Sequence, residues 1–317
     1  MCAIYGFVSY KNLLSGDELK KLVKSLSVES EVRGTDASGI AYVRDGELVI
    51  YKNPGPASKN DFYFPADTKI LTGHNRMTTH GNAVFNCNNH PFLGKTKDGH
   101  FALCHNGVLH NYRYVQLVEQ LPETKIETDT YVAVQLIEKY GSLNFSTVAK
   151  MCETVGEQFL FTILDDKNTL YIAMNGNPIC LLHFEKLGLY LYTSTVSIMK
   201  EVLKDSFLAK ESCMRINVDD GDIIRIDSNG KIEKSNFDFY KYWNYGGYPA
   251  YRWDYEEEIT EQLYQVAEMN GVSRDDINML FEMGYGEDEI AMMIYDPEML
   301  EVCLEEVRMY FEVDECI

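Results

Sequence analysis

QFLFTILDDKNTLYIAM, residues 158–174, consists of two apolar runs joined by a polar turn near Asp166-Lys167, the pattern of a β-hairpin. GIAYVRDGELVIYK, residues 39–52, repeats that pattern with its turn at Asp45-Gly46. Outward from these hairpins, residues 2–10 are strand-like, and further strands are expected at 69–76, 100–105, 179–184, 189–193 and 222–227. Ser15 opens a helix, with Glu18 three residues on as a capping box and Leu19, Leu22, Val23 and Leu26 on one apolar face. Helices also fit after Asn111, over 130–140 and over 195–204. Hairpins with scattered helices and no regular β-α-β alternation imply an α+β chain of stacked sheets flanked by helices.

The 317 residues are 45% hydrophobic and 25% charged, enough for one large core and a small second module, which excludes a disordered or fibrous chain. No apolar stretch approaches the ~20 residues that span a bilayer, and the N-terminus has neither a cationic start nor a long apolar segment. A soluble, cytoplasmic protein with no membrane partner is expected. The net charge of −20 is unevenly placed: residues 254–317 hold 20 acidic residues against Arg274 and Arg308, leaving the remainder close to neutral. An acidic tail and a body without a basic stripe argue against a nucleic-acid partner. The eight cysteines include no CxxC pair, as suits reduced thiols. Cys87, His90, His100 and Cys104, spaced C-x2-H-x9-H-x3-C, leave a zinc site open as an alternative.

Three segments follow from these patterns: a main domain over 1–235, an aromatic-rich linker over 236–255, and an acidic helical module over 256–317. The linker, with Gly246, Gly247 and Pro249 among its tyrosines and tryptophans, is expected to pack on the main domain; base or carbohydrate stacking is the alternative. In the last segment Ser273 with Asp276 starts a helix that Met283-Gly284-Tyr285-Gly286 ends, and Asp296-Pro297 starts another. Through its Met-Gly-Tyr turn and apolar spacing this module resembles the ubiquitin-associated type of three-helix bundle.

Two phosphate-site signatures fail. Gly94-Lys95-Thr96 lacks the upstream glycine, where Asn89 stands, and Asp165-Asp166 falls where a hairpin needs its turn. What remains begins at residue 2. If the initiator is removed, Cys2 carries a thiol and a free α-amine on one residue, and an amine of pKa ~7.7–8 can act as base for its own nucleophile. Taken singly, Arg76 reads equally as a surface ion pair, Asn106-Gly107 as a turn, and Asp129 as the start of a helix.

Cys2-Ala3-Ile4-Tyr5-Gly6, Arg33-Gly34-Thr35-Asp36, the nine residues 73–81 (GHNRMTTHG), Asn89-His90-Pro91-Phe92, His105-Asn106-Gly107 and Glu127-Thr128-Asp129-Thr130 occur together and in order. In that order the chain resembles the class II glutamine amidotransferase domain, and through its Thr-His-Gly and Glu-Thr-Asp-Thr stretches it is similar to the glutaminase half of glucosamine-6-phosphate synthase more than to that of asparagine synthetase. Gly176-Asn177-Pro178, Thr193-Ser194 and Asp220-Gly221-Asp222 continue the likeness to about residue 230. The resemblance implies a four-layer αββα sandwich of the N-terminal-nucleophile hydrolase type, followed here by the small all-α bundle. It implies that Cys2 attacks the side-chain amide of L-glutamine, giving an oxyanion faced by the Asn106 amide and the Gly107 N–H, then a thioester. Arg76 would clamp the substrate carboxylate, Asp129 the ammonium, with Thr79, His80 and Gly81 lining the pocket and Arg33 and Gly34 holding the N-terminal residue. No metal and no cofactor is expected.

Ala3 stands where the family usually has Gly, and Met77 where the sugar-phosphate synthases carry an aromatic gate, so that gate is not carried over. No synthase domain is recognised after residue ~235. A stand-alone subunit supplying ammonia to a separate synthase is therefore expected, with the acidic module as docking candidate. A hydrolase of another γ-glutamyl amide and a non-catalytic binding module are the alternatives.

Overall fold

Ala3–Ser9 (β1) is buried along its whole length, as its nearly unbroken apolar run requires of a strand covered on both faces. The structure, a computed structural model, describes residues 2–204 and 206–238, and beyond them 263, 264, 267, 268, 271–282, 290, 293, 294, 300, 301, 303 and 304. The chain divides into two compact units, Met1–Tyr242 and Trp243–Ile317.

In the first unit the other strands are Ala37–Arg44 (β2), Glu47–Pro54 (β3), Ile70–Arg76 (β4), Phe92–Thr96 (β5), Gly99–Gly107 (β6), Phe159–Asp165 (β7), Thr169–Asn175 (β8), Cys180–Phe184 (β9), Leu189–Thr193 (β10), Met214–Ile216 (β11), Asp222–Asp227 (β12) and Ile232–Asn236 (β13). They form a seven-stranded sheet in the order β11-β9-β10-β1-β4-β2-β3 and a six-stranded sheet in the order β13-β12-β8-β7-β6-β5. Every pairing within them is antiparallel. Both hairpins are found where their turns were expected. Asp45 and Gly46 take positive φ, and Asp165 Oδ1 accepts from the N–H groups of Lys167 and Thr169.

The period-two alternation of β1 shows how the layers stack. Ile4 and Val8 share a buried cluster with Ala102, Leu160, Leu164 and Ile172 of the second sheet. Ala3, Tyr5 and Phe7 face the other way, toward the apolar stripes of helices Gly16–Glu29 (α1) and Val196–Lys204 (α5). The outer face of the second sheet, with Phe101, Phe161 and Tyr171, is covered by Tyr131–Tyr140 (α3) and Phe145–Val155 (α4), after the short Tyr112–Val118 (α2). The result is a mixed fold of two antiparallel sheets with helices on both outer faces, consistent with an N-terminal-nucleophile hydrolase-like sandwich.

Ser15 and Glu18 cap α1 reciprocally, as expected. Four of these elements were not anticipated: α4, whose Asn144 and Thr147 form an equivalent box, and strands β5, β11 and β13. The rejected phosphate-loop triplet Gly94-Lys95-Thr96 lies on β5. Phe237, just past β13, is buried and stacks on Phe159 at 5.7 Å.

In the second unit, Arg274–Glu282 (α6) begins at the expected Ser273, whose Oγ accepts from Asp276 N at 3.1 Å. Leu263, Ala267, Ile277, Leu280, Ile290, Met293, Ile294, Leu300 and Leu304 form one buried cluster. The 283–286 turn, the Asp296-Pro297 start and most of the expected linker lie outside the described residues. Among the described residues, no helix is long and apolar enough to cross a membrane.

Candidate active site

Because β1 and β4 are antiparallel, the start of one meets the end of the other, and Ala3 pairs with Asn75. Cys2 precedes β1, and its Sγ lies 3.4 Å from both N and O of Met77, the residue following β4. Arg33 Nε donates to Cys2 O at 2.8 Å. Gly34 passes so close to the Arg76–Met77 backbone that any side chain there would collide with it. Burial pushes the Cys2 thiol above its ordinary pKa, while the Met77 N–H and the Arg76 charge draw it back. A nearby proton acceptor is then needed to form thiolate at neutral pH.

Arg76 ends β4 and is buried. Its Nη1 donates to Asn89 Oδ1 at 2.8 Å, and its Nη2 to the carbonyls of His80 and Gly81. The loop carrying Thr79, His80 and Gly81 is thereby folded back onto the guanidinium; Thr79 is exposed and His80 half-buried. His80 packs edge-on against Tyr112, and its Nδ1 is 4.0 Å from Asp129 Oδ1.

Asp129 precedes α3 and is buried; its Oδ2 accepts the Leu109 N–H at 2.7 Å. That bond ties it to the segment following Asn106 and Gly107, which end β6. Asn106 is completely buried, yet neither its Nδ2 nor its Oδ1 has a hydrogen-bond partner among the described residues. Gly107 sits at φ +147°, and a Cβ there would collide with Gln158 O and His105 Nε2, so only glycine fits. Arg76 and Asp129 both act on the Cys2 thiol through their charges, and Asp129 is tied to the segment that follows the unpaired, buried Asn106 amide; a guanidinium and a carboxylate can receive an amino acid at its charged end, and an unpaired amide can polarise a carbonyl.

The zinc alternative fails on geometry. Cys87 is exposed, His90 bonds Thr130, His100 faces Asp166, and Cys104 is buried beside Thr72. Among the described residues no group of three His, Cys, Asp or Glu side chains is placed to hold a metal ion.

Several residues around the site had no role assigned from sequence. Asp36 Oδ2 accepts the Thr78 N–H at 2.7 Å and fixes the loop after β4. Lys52 Nζ donates to the carbonyls of Asn89 and Pro91, and burial lowers its pKa to about 8. Asn177 Nδ2 reaches Asn106 O at 3.2 Å. Asn89, Asn177 and Asp36 lie inside the quoted motifs, whereas Lys52 sits on a strand whose alternation gives no sign of burial at that position.

No family model matches the chain. A glutamine–fructose-6-phosphate aminotransferase [isomerizing] of Staphylococcus aureus is 33% identical over 198 residues, covering 57% of this chain and 30% of the relative. The same enzyme of Staphylococcus epidermidis is 32% identical over 193 residues, covering 56% and 30%. The chain thus spans less than a third of the length of these curated relatives. Among solved structures, the glutamine phosphoribosylpyrophosphate amidotransferase from B. subtilis complexed with ADP and GMP matches with a TM-score of 0.57 at 20% identity, covering 75% of this chain and 49% of that one. A structure described as the allosteric regulatory enzyme of purine biosynthesis matches with a TM-score of 0.58, at the same identity and coverage. These two likenesses speak for the fold alone. The sequence matches make part of this chain a homologue of the glutamine–fructose-6-phosphate aminotransferases, which are enzymes.

Proposed function

We propose that the main unit hydrolyses L-glutamine to glutamate and ammonia through a thioester on Cys2. The observation that carries this reading is the Asn106 side-chain amide, wholly buried and without a partner, at the end of a strand tied to Asp129. With Met1 removed, the Cys2 α-amine takes the thiol proton and Sγ attacks the amide carbon; the carbonyl electron pair moves onto oxygen. Asn106 Nδ2 and the Gly107 N–H face that oxyanion, and one such donor contributes ~3 kcal/mol. The oxyanion collapses, the C–N bond breaks, and the leaving nitrogen takes a proton to depart as ammonia. Water then cleaves the thioester, giving glutamate and the free thiol.

Arg76 holds the α-carboxylate, for which a planar guanidinium suits. Asp129 Oδ1 takes the α-ammonium, with Thr79, His80 and Gly81 as the wall; Arg33 and Gly34 keep Cys2 in place. The ammonia passes to a synthase on a separate chain. The acidic unit is its docking element, a small helical bundle of the ubiquitin-associated type; the capped α6 and its apolar cluster support a folded module. The division 1–235, 236–255 and 256–317 and a cytoplasmic location belong to the same proposal.

Purified chain should release ammonia from glutamine and show a mass lacking one Met, and Cys2→Ala should abolish both turnover and labelling by a diazoketone glutamine analogue. Faster turnover of a γ-glutamyl amine than of glutamine would redirect the substrate. Full activity with Met1 retained would remove the mechanism.

A further inference from the structure

β6 presents His105, Asn106 and Gly107 in succession, and strand alternation sends His105 and Gly107 to one face and Asn106 to the other. The His105 ring lies against Gly107: a Cβ on that glycine would come within 2.7 Å of His105 Nε2. This ring therefore bounds the backbone whose N–H faces the oxyanion. It stacks on Phe161 with centroids 4.7 Å apart, and its Nδ1 lies 2.8 Å from Thr130 Oγ1. Thr130 Oγ1 is also 3.2 Å from Nε2 of His90, which stacks on His74 at 4.1 Å; His74 Nε2 in turn donates to the His105 carbonyl at 2.9 Å. His74, His90, His105, Thr130 and Phe161 are all buried.

A hydroxyl has one proton. Set between two imidazole nitrogens, Thr130 donates to one ring and accepts from the other, so it fixes the tautomers of His90 and His105 together. Asp129, the preceding residue, holds the Leu109 N–H. Two consecutive residues thus grip 105–109 on either side of Asn106 and Gly107, one by a carboxylate and one by a hydroxyl.

We propose that Thr130 is a positioning residue: acting through His105, it sets the aim of the Asn106 and Gly107 donors at the oxyanion. The inference rests on the glutaminase reading above. Loss of the hydroxyl leaves His105 Nδ1 buried and unpaired, and the ring is free to turn beneath Gly107. The substrate's charged end, held by Arg76 and Asp129, is not touched. The effect then falls on the tetrahedral state rather than on glutamine binding.

The test is Thr130→Val, which keeps shape and removes the hydroxyl, beside Thr130→Ser, which keeps it. For Thr130→Val we expect kcat for glutamine to fall ~10–100-fold with KM within ~3-fold, below the full loss of an oxyanion donor. Binding of glutamate γ-semialdehyde, which forms a tetrahedral adduct on Cys2, should weaken in parallel with kcat while binding of glutamate is unchanged; Thr130→Ser should restore both. A Thr130→Val chain with kcat within ~2-fold of the parent, or one that loses aldehyde and glutamate binding equally, overturns the proposal. Should Thr130→Val not fold, nitrogen NMR of the His105 ring in the unsubstituted chain decides: a single tautomer with a bonded Nδ1 supports the proposal, and free exchange between tautomers overturns it. An unsubstituted chain that does not hydrolyse glutamine removes the function and this inference with it, a result distinct from an active chain indifferent to Thr130→Val.

Discussion

Arg76 Nη1 donates to the side-chain oxygen of Asn89 at 2.8 Å, while Nη2 is held by the carbonyls of His80 and Gly81. Three of the five guanidinium N–H groups are thereby committed to protein, which leaves the Nε–H and one Nη1 N–H to donate to an anionic ligand. Asn89 is itself fixed: its Nδ2 donates to Ala83 O, and its carbonyl accepts from Lys52. The guanidinium is held in one orientation before any substrate arrives, so little ordering entropy is left to lose on binding.

Asn89→Ala removes one of those holds without touching the thiol. Loss of a hydrogen bond to a charged group is worth ~1.5–3 kcal/mol, of which part should appear in substrate binding as a KM for glutamine raised ~10-fold with kcat within ~3-fold. Steady-state kinetics read the two separately. A fall in kcat alone would place Asn89 with the reacting centre instead.

Asp129 divides its oxygens, with Oδ2 occupied by the Leu109 N–H and Oδ1 turned toward His80. Asp129→Asn can keep the first bond through its amide oxygen and loses only the charge. A KM for glutamine raised ~10–100-fold is expected, with a melting temperature close to that of the parent, since the neutral amide oxygen still satisfies Leu109. Asp129→Ala strands that N–H and should also lower the melting temperature. Equal kinetics for Asp129→Asn and the parent would move the ammonium anchor elsewhere.

The pH dependence of stability follows from the buried rings. Burial pushes His74 down to about 3 and His105 to about 4, and His90 well below the ordinary 6.5; Arg76 and Lys52 add repulsion at His74 and His90, while Asp129 partly offsets burial at His105. Between pH 6.5 and about 4 the unfolded chain binds protons that the folded chain refuses, so stability falls as pH falls through that window and is flat above it. At pH 5 His74 and His105 each contribute about 2 kcal/mol to this loss, and His90 adds to it in the same direction. Denaturant unfolding at pH 7 and pH 5 measures the difference. Equal unfolding free energies at the two values would show that the rings are not held neutral in the folded chain.

The fold was legible wherever one face of a segment is apolar at a fixed period. The hairpins at 39–52 and 158–174 announce themselves because Asp45-Gly46 and Asp165-Asp166 supply turn chemistry between alternating runs. Helix α4 was missed although Val148, Met151, Cys152 and Val155 carry helical spacing, because its cap is Asn144 with Thr147 and its first turn has no acidic residue. Strand β13 was missed because its exposed edge needs no apolar pattern. At the site, Cys2, Arg76, Asn106 and Asp129 stand out as reactive types in order along the chain. Lys52 did not, and His90 and Thr130 were quoted within motifs without the roles they have here, because those roles depend on which side chains the two sheets bring together, and no local spacing encodes that.

The acidic unit makes the last prediction. Residues 254–317 carry a net charge of −18, and the second compact unit has its own buried apolar cluster. Every residue proposed to act on glutamine lies at or before Thr130, inside the first unit. A chain ending after residue 242 should therefore keep glutamine turnover within ~2-fold and melt within about 4 °C of the full chain, a shift that corresponds to roughly 1–2 kcal/mol for a domain of this size. What it should lose is affinity for the chain that accepts the ammonia. For the full-length protein that affinity should weaken steeply between low and physiological salt, because attraction between exposed charges is screened within ~8–10 Å. Calorimetry and ammonia release on the truncated chain, with no partner present, separate docking from support: a large fall in both melting temperature and turnover would make the acidic unit a stabilising part of the glutaminase and remove it as a docking element.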